Sequence, residues 1–183
     1  MPNRNETQTV YLQSGDPEQE NATSLYAPGL LGATFKVIQP TRSPAGVEDG
    51  RAKRYQLVKT DSSMTVAPYP GATAWWSDQS AFLVTTANTN RNRVAGVFQN
   101  SVTPGNYCCI QKNGPATVKV LDADVASLAV GDTIIPSATA GKATRVAVGT
   151  APTHTPMGQV QGPLTVNAPN ATVVVDLALP ESV

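Results

Sequence analysis

The residues able to do chemistry are few and far apart in this sequence. The single histidine, His154, stands between two prolines in GTAPTHTPMG, and the two cysteines, Cys108 and Cys109, are adjacent. Structural zinc needs four Cys or His ligands at characteristic spacings, and a disulfide framework needs cysteines that are separated along the chain. We therefore expect no metal site, no disulfide framework and no cofactor. On a strand, one of the two thiols should lie in the core and the other outside it.

The dipeptide Gly141–Lys142 suggests a phosphate-binding loop, but the surrounding residues do not fit one. Such a loop needs a glycine five positions before Gly141, where Pro136 stands, and a Ser or Thr after Lys142, where Ala143 stands. No GxSxG nucleophile motif occurs either. Together with the lone histidine, these mismatches indicate a protein that is not an enzyme.

Two clusters of charge have plain structural interpretations. Asp122 and Asp124 flank one alanine in a bend rich in small residues, where they are expected to cap a short helical turn. The basic stretch GRAKRYQLVK, residues 50–59, follows Glu48 and Asp49, and the formal net charge of the chain is +0. A solvated strand face is favoured over a nucleic-acid platform, so no direct nucleic-acid partner is expected.

Composition favours strands and turns over helices. The chain of 183 residues is 40% hydrophobic but only 14% charged, and Gly, Pro, Ala, Thr and Val replace the missing charges. No stretch approaches the ~20 apolar residues that a membrane helix needs, and the N-terminus does not resemble a signal peptide. We expect a protein made and used in a cytoplasm, with no membrane partner.

Many short apolar runs separated by turn residues predict an all-β fold, a small barrel or sandwich of short antiparallel strands. The predicted strands include 30–40, 54–60, 80–87, VAGVFQ, YCCIQ, 116–121, TIIP and 172–179, with DADVASLAVGD at 122–132 as the one short helical turn. The related units VAGVFQNSVTPGNYCCI and MGQVQGPLTVNAPNATVVVDL, each a glycine-bearing strand, a turn and a second strand, predict hairpins in equivalent places.

Residues 1–28 are polar and interrupted by Gly15, Pro17 and Pro28, so they predict an extended N-terminal arm before a single β-domain at 29–183. The large apolar side chains of the arm after Val10 are candidates for contact with a partner or another subunit: Tyr11, Leu12, Leu25 and Tyr26.

The adjacent Trp75 and Trp76 allow three interpretations. On a strand one ring points inward and the other outward, so one is a core anchor and the other is covered by a loop. Alternatively, one anchors an interface, because Trp is enriched at binding hot spots. Thirdly, both could join Tyr69 in the stacking platform of a carbohydrate-binding module.

Residues 90–180 resemble the small capsid decoration, or cement, proteins of tailed bacteriophages. The resemblance rests on the order of four short motifs: a VxGV-like strand at Val94–Val97, a GD turn at Gly131–Asp132, a GK turn at Gly141–Lys142 and a GxV-like strand at Met157–Val160. The last of these departs from the pattern, because Gln159 follows Gly158.

This resemblance implies a structural virion protein that binds the outer surface of an expanded capsid and stabilises the shell. The implied partner is the major capsid protein, and the implied assembly is a homotrimer made in the host bacterial cytoplasm. Other members of the virion, such as a head fibre or tail accessory protein, share the same composition and stay open as alternatives, as does the carbohydrate-binding module.

Overall fold

The computed structural model describes residues 17–24, 30–38, 52–87, 93–165 and 171–179, and these residues form an all-β fold. Ten strands follow in order: β1 (Thr34–Ile38), β2 (Ala52–Thr60), β3 (Thr73–Asp78), β4 (Leu83–Thr85), β5 (Val94–Phe98), β6 (Tyr107–Lys119), β7 (Thr133–Pro136), β8 (Ala143–Val146), β9 (Gly158–Thr165) and β10 (Thr172–Ala178). The predicted fold class is confirmed. The predicted helical turn is a 3-10 helix at Asp122–Ser127, and a second one at Pro17–Gln19 was not predicted.

Five strands close into a barrel in the order β2-β4-β3-β5-β6, because β6 also pairs with β2. The structure therefore has a barrel where the sequence left a barrel or a sandwich open. One pair departs from the predicted antiparallel pattern, since β2 and β4 run parallel at Lys59 and Thr60. Closure removes the unpaired edges that an open sheet would expose.

Strand β6 is long enough to belong to two layers. The sequence predicted separate strands at YCCIQ and 116–121, but they form one strand of 13 residues. Its first half pairs with β2, and from Asn113 onward it pairs with β10. The order then continues β10-β9-β7-β8, and a single parallel bridge between Val120 and Ala143 brings β8 back to the end of β6. We call this curled sheet and its loops the second lobe.

Three clusters of buried side chains fill these layers. One contains Val58, Val84, Phe98 and Ile110 and lies in the barrel, while the second lobe has its own cluster around Val118, Ile134 and Val175. The third lies on the other face of β2 and β6, where Leu30 and Phe35 pack over it. Strands β2 and β6 therefore have packed side chains on both faces.

The two related sequence units are both antiparallel strand pairs, as predicted. The first is β5 with β6, paired at Val97 and Phe98, and the second is β9 with β10. In each unit the glycine faces a backbone carbonyl of the partner strand: a Cβ on Gly96 would lie 2.8 Å from the oxygen of Gln111, and one on Gly158 would lie 2.1 Å from that of Asp176. A larger residue could not fit at either position without moving the strands apart.

Residues 17–24 of the predicted arm pack on the barrel. Ala22 is buried and exchanges backbone hydrogen bonds with Tyr107 on β6, at 2.9 and 2.7 Å. The Asn100 side chain donates to the carbonyl of Glu20 at 3.0 Å. Residues 17–24, which the sequence placed in the arm, are therefore attached to the β-domain, while the predicted boundary at residue 29 lies outside the described residues.

Within the described ranges, no helix is long and apolar enough to cross a membrane.

Candidate functional site

The residues with catalytic or metal-binding potential are separated in the fold. Both cysteines are buried as thiols, Cys108 in the barrel cluster and Cys109 in the cluster beneath Phe35, so the expectation that one thiol lies outside the core is wrong. Burial raises the pKa of the Cys108 thiol, with a smaller contribution from the charge of Glu20. Within the described part of the chain, no three His, Cys, Asp or Glu side chains are grouped closely enough to hold a metal ion.

The two aspartates of the helical turn do not cap it. The residue before the helix is Leu121, and no side chain makes a capping hydrogen bond there. Instead, Asp122 accepts from the Lys142 amine at 3.2 Å, and Asp124 accepts from the Thr144 hydroxyl at 2.6 Å. The expected capping role is wrong, because both carboxylates are used to attach the turn to β8 and the loop before it.

Trp75 and Trp76 are both buried, with 1% and 7% of their surface exposed. They point to opposite faces of β3, as adjacent strand residues must, but each face has its own core. Trp75 lies in the second-lobe cluster and Trp76 in the barrel cluster, where it meets the Phe82 ring edge-on at 6.3 Å between centroids. Neither ring offers the exposed face that a glycan platform or an interface anchor on the free chain would need.

The other predicted contact residues, Tyr11, Leu12, Leu25 and Tyr26, lie outside the described residues. Between them, residues 17–24 are described, and they include an ion pair. Glu18 accepts from the Lys53 amine at 2.8 Å and also from the Tyr55 hydroxyl. Burial alone would raise the pKa of Glu18, but these two partners lower it overall. The segment is therefore fixed to β2 at this point.

The outer surface of the second lobe is a candidate surface for partner binding. Val130 and Val148 are 63% and 69% exposed, and we call these two side chains the apolar tip. They belong to adjacent turns, because a Cβ on Gly131 would lie 3.4 Å from Val148 and the Val148 amide donates to Asp132 at 3.3 Å. The two exposed aliphatic side chains therefore form one small apolar patch.

Charge is nearly absent from this surface. Between Arg145 and Asp176 the sequence contains no Asp, Glu, Lys or Arg. The Arg145 guanidinium lies 3.0 Å from the buried carboxylate of Asp132. Burial would raise the pKa of Asp132, yet hydrogen bonds from the Ala129 and Val148 amides and from Arg145 lower it overall. The pair is satisfied within the lobe, and depletion of charge is typical of the centre of protein interfaces.

A cleft of about 410 Å³ opens in the same lobe. Its walls come from β9, from the end of β10 and from the loop before β9, and they are formed by Thr133, Pro152, Pro156, Gly158, Gln159, Gln161, Asp176, Leu177 and Ala178. Gln159 and Gln161 are exposed, so their amides are available to a bound group. The walls combine apolar surface with hydrogen-bonding groups and one carboxylate, which suits an uncharged amphipathic ligand.

Lys112 is a buried basic residue that the sequence reasoning did not identify. Lys112 is 3% exposed, its amine donates to the side-chain amide oxygen (Oε1) of Gln56 at 3.3 Å, and it lies 6.0 Å from the centre of the Trp76 ring. Burial, together with the charge of Arg54, lowers its pKa to about 8. Alternation with Cys108 and Ile110 on β6 could have placed it on the inward face. A neutral amine is a nucleophile, but this one is closed off from substrates.

Comparison with known proteins did not identify a relative: no protein-family model matches the sequence, and no curated protein matches it significantly.

Proposed function

We propose that the protein is a non-enzymatic structural component of a phage virion that binds the outer surface of the capsid and stabilises the shell. The observation that carries the proposal is the apolar tip of the second lobe together with the stretch between Arg145 and Asp176 that contains no Asp, Glu, Lys or Arg, a surface suited to burial against another protein. The buried thiols and the scattered carboxylates of the described chain supply no competing chemistry.

The proposal also rests on the four sequence motifs that resemble phage decoration proteins, and these motifs lie in strands and turns of the described structure. VAGV lies within β5, and MGQV spans the beginning of β9. The GD turn joins β9, because the Gly131 amide donates to the Val160 carbonyl and the Val160 amide donates to that of Asp132, both at 2.9 Å. The GK turn joins the lobe to the barrel, because the Gly141 amide donates to Thr86 at 3.0 Å and its carbonyl accepts from Thr73 at 2.9 Å.

In this proposal the partner is the major capsid protein, met by shape and apolar contact on the outside of the particle. No membrane or direct nucleic-acid contact is involved, and the protein is made in the host bacterial cytoplasm. Many copies, each burying a modest area, would strengthen a shell through multivalency. The same resemblance implies a homotrimer. Chemical cross-linking on intact particles should therefore give covalent trimers of the protein. Cross-linked samples that contain only the monomer would contradict this stoichiometry.

The apolar tip provides a direct test of capsid binding. Val130→Glu combined with Val148→Glu places two charges where the proposal requires burial, and the variant should lose retention on purified particles by tenfold or more, since each unpaired buried carboxylate costs several kcal/mol. Val66→Glu is the matched control, because Val66 is 36% exposed and lies elsewhere in the sequence, between β2 and β3. Equal retention of both variants would contradict the proposed surface.

Microscopy separates the proposal from a head fibre or a tail accessory protein. Gold-labelled protein should decorate the capsid at many positions. Label confined to the tail, or to a single vertex, would favour those alternatives.

A glycan array tests the carbohydrate-binding module. Binding to the array that survives in the tip variant would favour such a module, although Trp75 and Trp76 are buried and cannot form its stacking platform.

A further inference from the structure

The cleft of the second lobe is lined by polar side chains that cross three neighbouring strands. Thr133 on β7 pairs with Gln159 on β9, and Gln159 pairs with Asp176 on β10. Residues paired in this way lie on the same face of a sheet, so these side chains span about 10 Å, two strand spacings, of that face. Gln161 lies two positions beyond Gln159 on β9 and also lines the cleft. We call these four side chains the polar row.

The polar row faces outward because the alternate residues of its strands are in the core. Val160, which follows Gln159, is 1% exposed, and Leu177, which follows Asp176, is 3% exposed. The side chain of Leu177 therefore belongs to the core of the lobe, and only its backbone can border the cleft. Asp176 is half-buried on the opposite face, so the cleft contains one carboxylate.

The loop before β9 supplies an apolar wall that is held in place. Pro152 and Pro156 line the cleft and are exposed to solvent. The next residue, Met157, is buried; its amide donates to the Ile134 carbonyl at 2.8 Å, and its carbonyl accepts from the Ala178 amide at 2.9 Å. A proline ring has no rotamer freedom to lose when a ligand contacts it. The wall is therefore largely preformed, which lowers the cost of binding.

The hydrogen-bonding groups of the polar row select the chemical class of the ligand. Its two carboxamides and its threonine hydroxyl both donate and accept, and the carboxylate of Asp176 accepts. An anion would be repelled by that carboxylate, and none of the described residues that line the cleft is a Lys or Arg. An ammonium or guanidinium group has donors only and would leave the amide donors of Gln159 and Gln161 without partners. Hydroxyl groups, which donate and accept, match every member of the row.

We propose that the cleft is a binding site for a neutral saccharide, whose hydroxyls pair with the polar row while the C–H surface of a sugar ring packs against the two prolines. The volume of about 410 Å³ lies within the range of roughly 300–1,000 Å³ for ligand pockets. The site is separate from Trp75 and Trp76, which are buried. The inference goes beyond the capsid proposal and does not depend on it.

An NMR titration of the isotope-labelled full chain tests this site. The probes are maltose, cellobiose, lactose and N,N′-diacetylchitobiose, all neutral disaccharides. At least one should shift the backbone signals of Gln159 and Ala178 and the side-chain amide signals of Gln159 and Gln161. The dissociation constant should be on the order of 1 mM, because the cleft is open to solvent and offers few hydrogen bonds.

Variants at exposed positions locate the binding. Gln159→Ala and Gln161→Ala should each weaken it about threefold to tenfold, as expected for the loss of one hydrogen bond. Gln19→Ala is the matched control, because Gln19 is an exposed glutamine that does not line the cleft, and it should bind like the unsubstituted protein. Ala178→Arg places a long side chain in the cleft from an exposed position beside Asp176 and should abolish binding.

The signals of β6 report whether each variant is folded, and variants are compared only where those signals are unchanged. The proposal is overturned if none of the disaccharides shifts the named signals at about 10 mM, or if folded Gln159→Ala and Gln161→Ala bind as well as Gln19→Ala. Tighter binding of agmatine, a guanidinium compound, would show a site for cations and would also overturn it.

The capsid proposal is judged by a separate measurement, retention on particles. If both proposals are correct, the tip variant with Val130→Glu and Val148→Glu loses retention but still binds the disaccharide. A chain that binds the disaccharide and is not retained in its unsubstituted form supports the saccharide site and contradicts the capsid proposal.

Discussion

Lys112 illustrates how a single buried residue affects the properties of the molecule. Its amine has the side-chain amide oxygen of Gln56 and the Trp76 ring as neighbours inside the fold, and its pKa is lowered from 10.5 to about 8. Burial penalises the ammonium form more than the neutral amine, which is the cause of the lower pKa. Retaining the charge at neutral pH therefore reduces the free energy of unfolding.

The stability of the protein should depend on pH through Lys112. Between pH 8 and about 10.5 the unfolded chain binds the lysine proton more tightly than the folded chain, so this residue makes the free energy of unfolding rise with pH. Lys112→Met should remove that contribution. The measurement is the difference in urea midpoint between the unsubstituted protein and the variant at pH 7, 8, 9 and 10, and the difference should move in favour of the unsubstituted protein as pH increases.

The raised pKa of the Cys108 thiol acts in the opposite direction, because the unfolded chain loses that proton first as pH passes about 9. It is present in both proteins and cancels from the difference. Lys119→Met, on the same strand, is the control. A difference between the unsubstituted protein and Lys112→Met that is constant from pH 7 to 10 would show that Lys112 does not titrate in this range.

At the scale of elements, sequence patterns predicted strands and turns well but not which surfaces would be covered. Short apolar runs bounded by turn residues identified β2, β5, β7 and β10, because such runs are typical of strands whatever their neighbours are. The alternation rule failed for the adjacent pairs Cys108–Cys109 and Trp75–Trp76, since it assumes one exposed face and these strands have packed side chains on both. The sequence predicted two strands at YCCIQ and 116–121, although pairing with β2 and then β10 makes one continuous strand of β6.

The apolar tip and the cleft could not have been found by such patterns. Val130 and Val148 belong to separate short runs of the sequence, SLAVGD and RVAVG, and become neighbours only through the turns that place them together. The walls of the cleft likewise come from positions between Thr133 and Ala178 that are brought together by pairing of β7, β9 and β10. Absence of charge between Arg145 and Asp176 was the one signal in the sequence that pointed to this surface.

Close approach of β9 and β10 makes Gly158 a sensitive position. A Cβ there would lie 2.1 Å from the carbonyl oxygen of Asp176, so Gly158→Ala forces two paired strands apart. We expect a loss of about 3 kcal/mol or more in the free energy of unfolding, at the upper end of overpacking effects. Gly149→Ala is the comparison, because Gly149 has a φ of 83° but no atoms within 4 Å of a Cβ, and strain alone should cost about 1–2 kcal/mol. Urea unfolding measures both, and equal losses would mean that β9 and β10 can separate without penalty.

For the whole molecule, the barrel and the second lobe form one structure because strands and turns cross between them. The single strand β6 runs through both the barrel and the second lobe, and Gly141 is hydrogen-bonded to Thr86 and Thr73 on the barrel side. The N-terminal segment adds a third connection, through Ala22 on β6 and Glu18 on β2. We therefore expect residues 17–24 to contribute to the stability of the fold and the residues before them to contribute to partner binding.

Two truncations separate these contributions. A chain that begins at Pro17 keeps the Ala22 hydrogen bonds, the buried Glu20 and the Glu18–Lys53 ion pair, and its thermal midpoint should stay within a few degrees of the full chain. A chain that begins at Leu30 loses all of them, exposes the Tyr107 edge of β6 and should unfold roughly 2–8 °C earlier, as expected for a loss of about 1–2 kcal/mol in a domain of this size. Retention on particles should already fall with the shorter truncation, because Tyr11 and Leu12 are removed while the β-domain is intact. Unchanged retention after removal of residues 1–16 would show that these side chains do not contribute to binding, and an equally large loss of stability in both truncations would place residues 1–16 in the folded core.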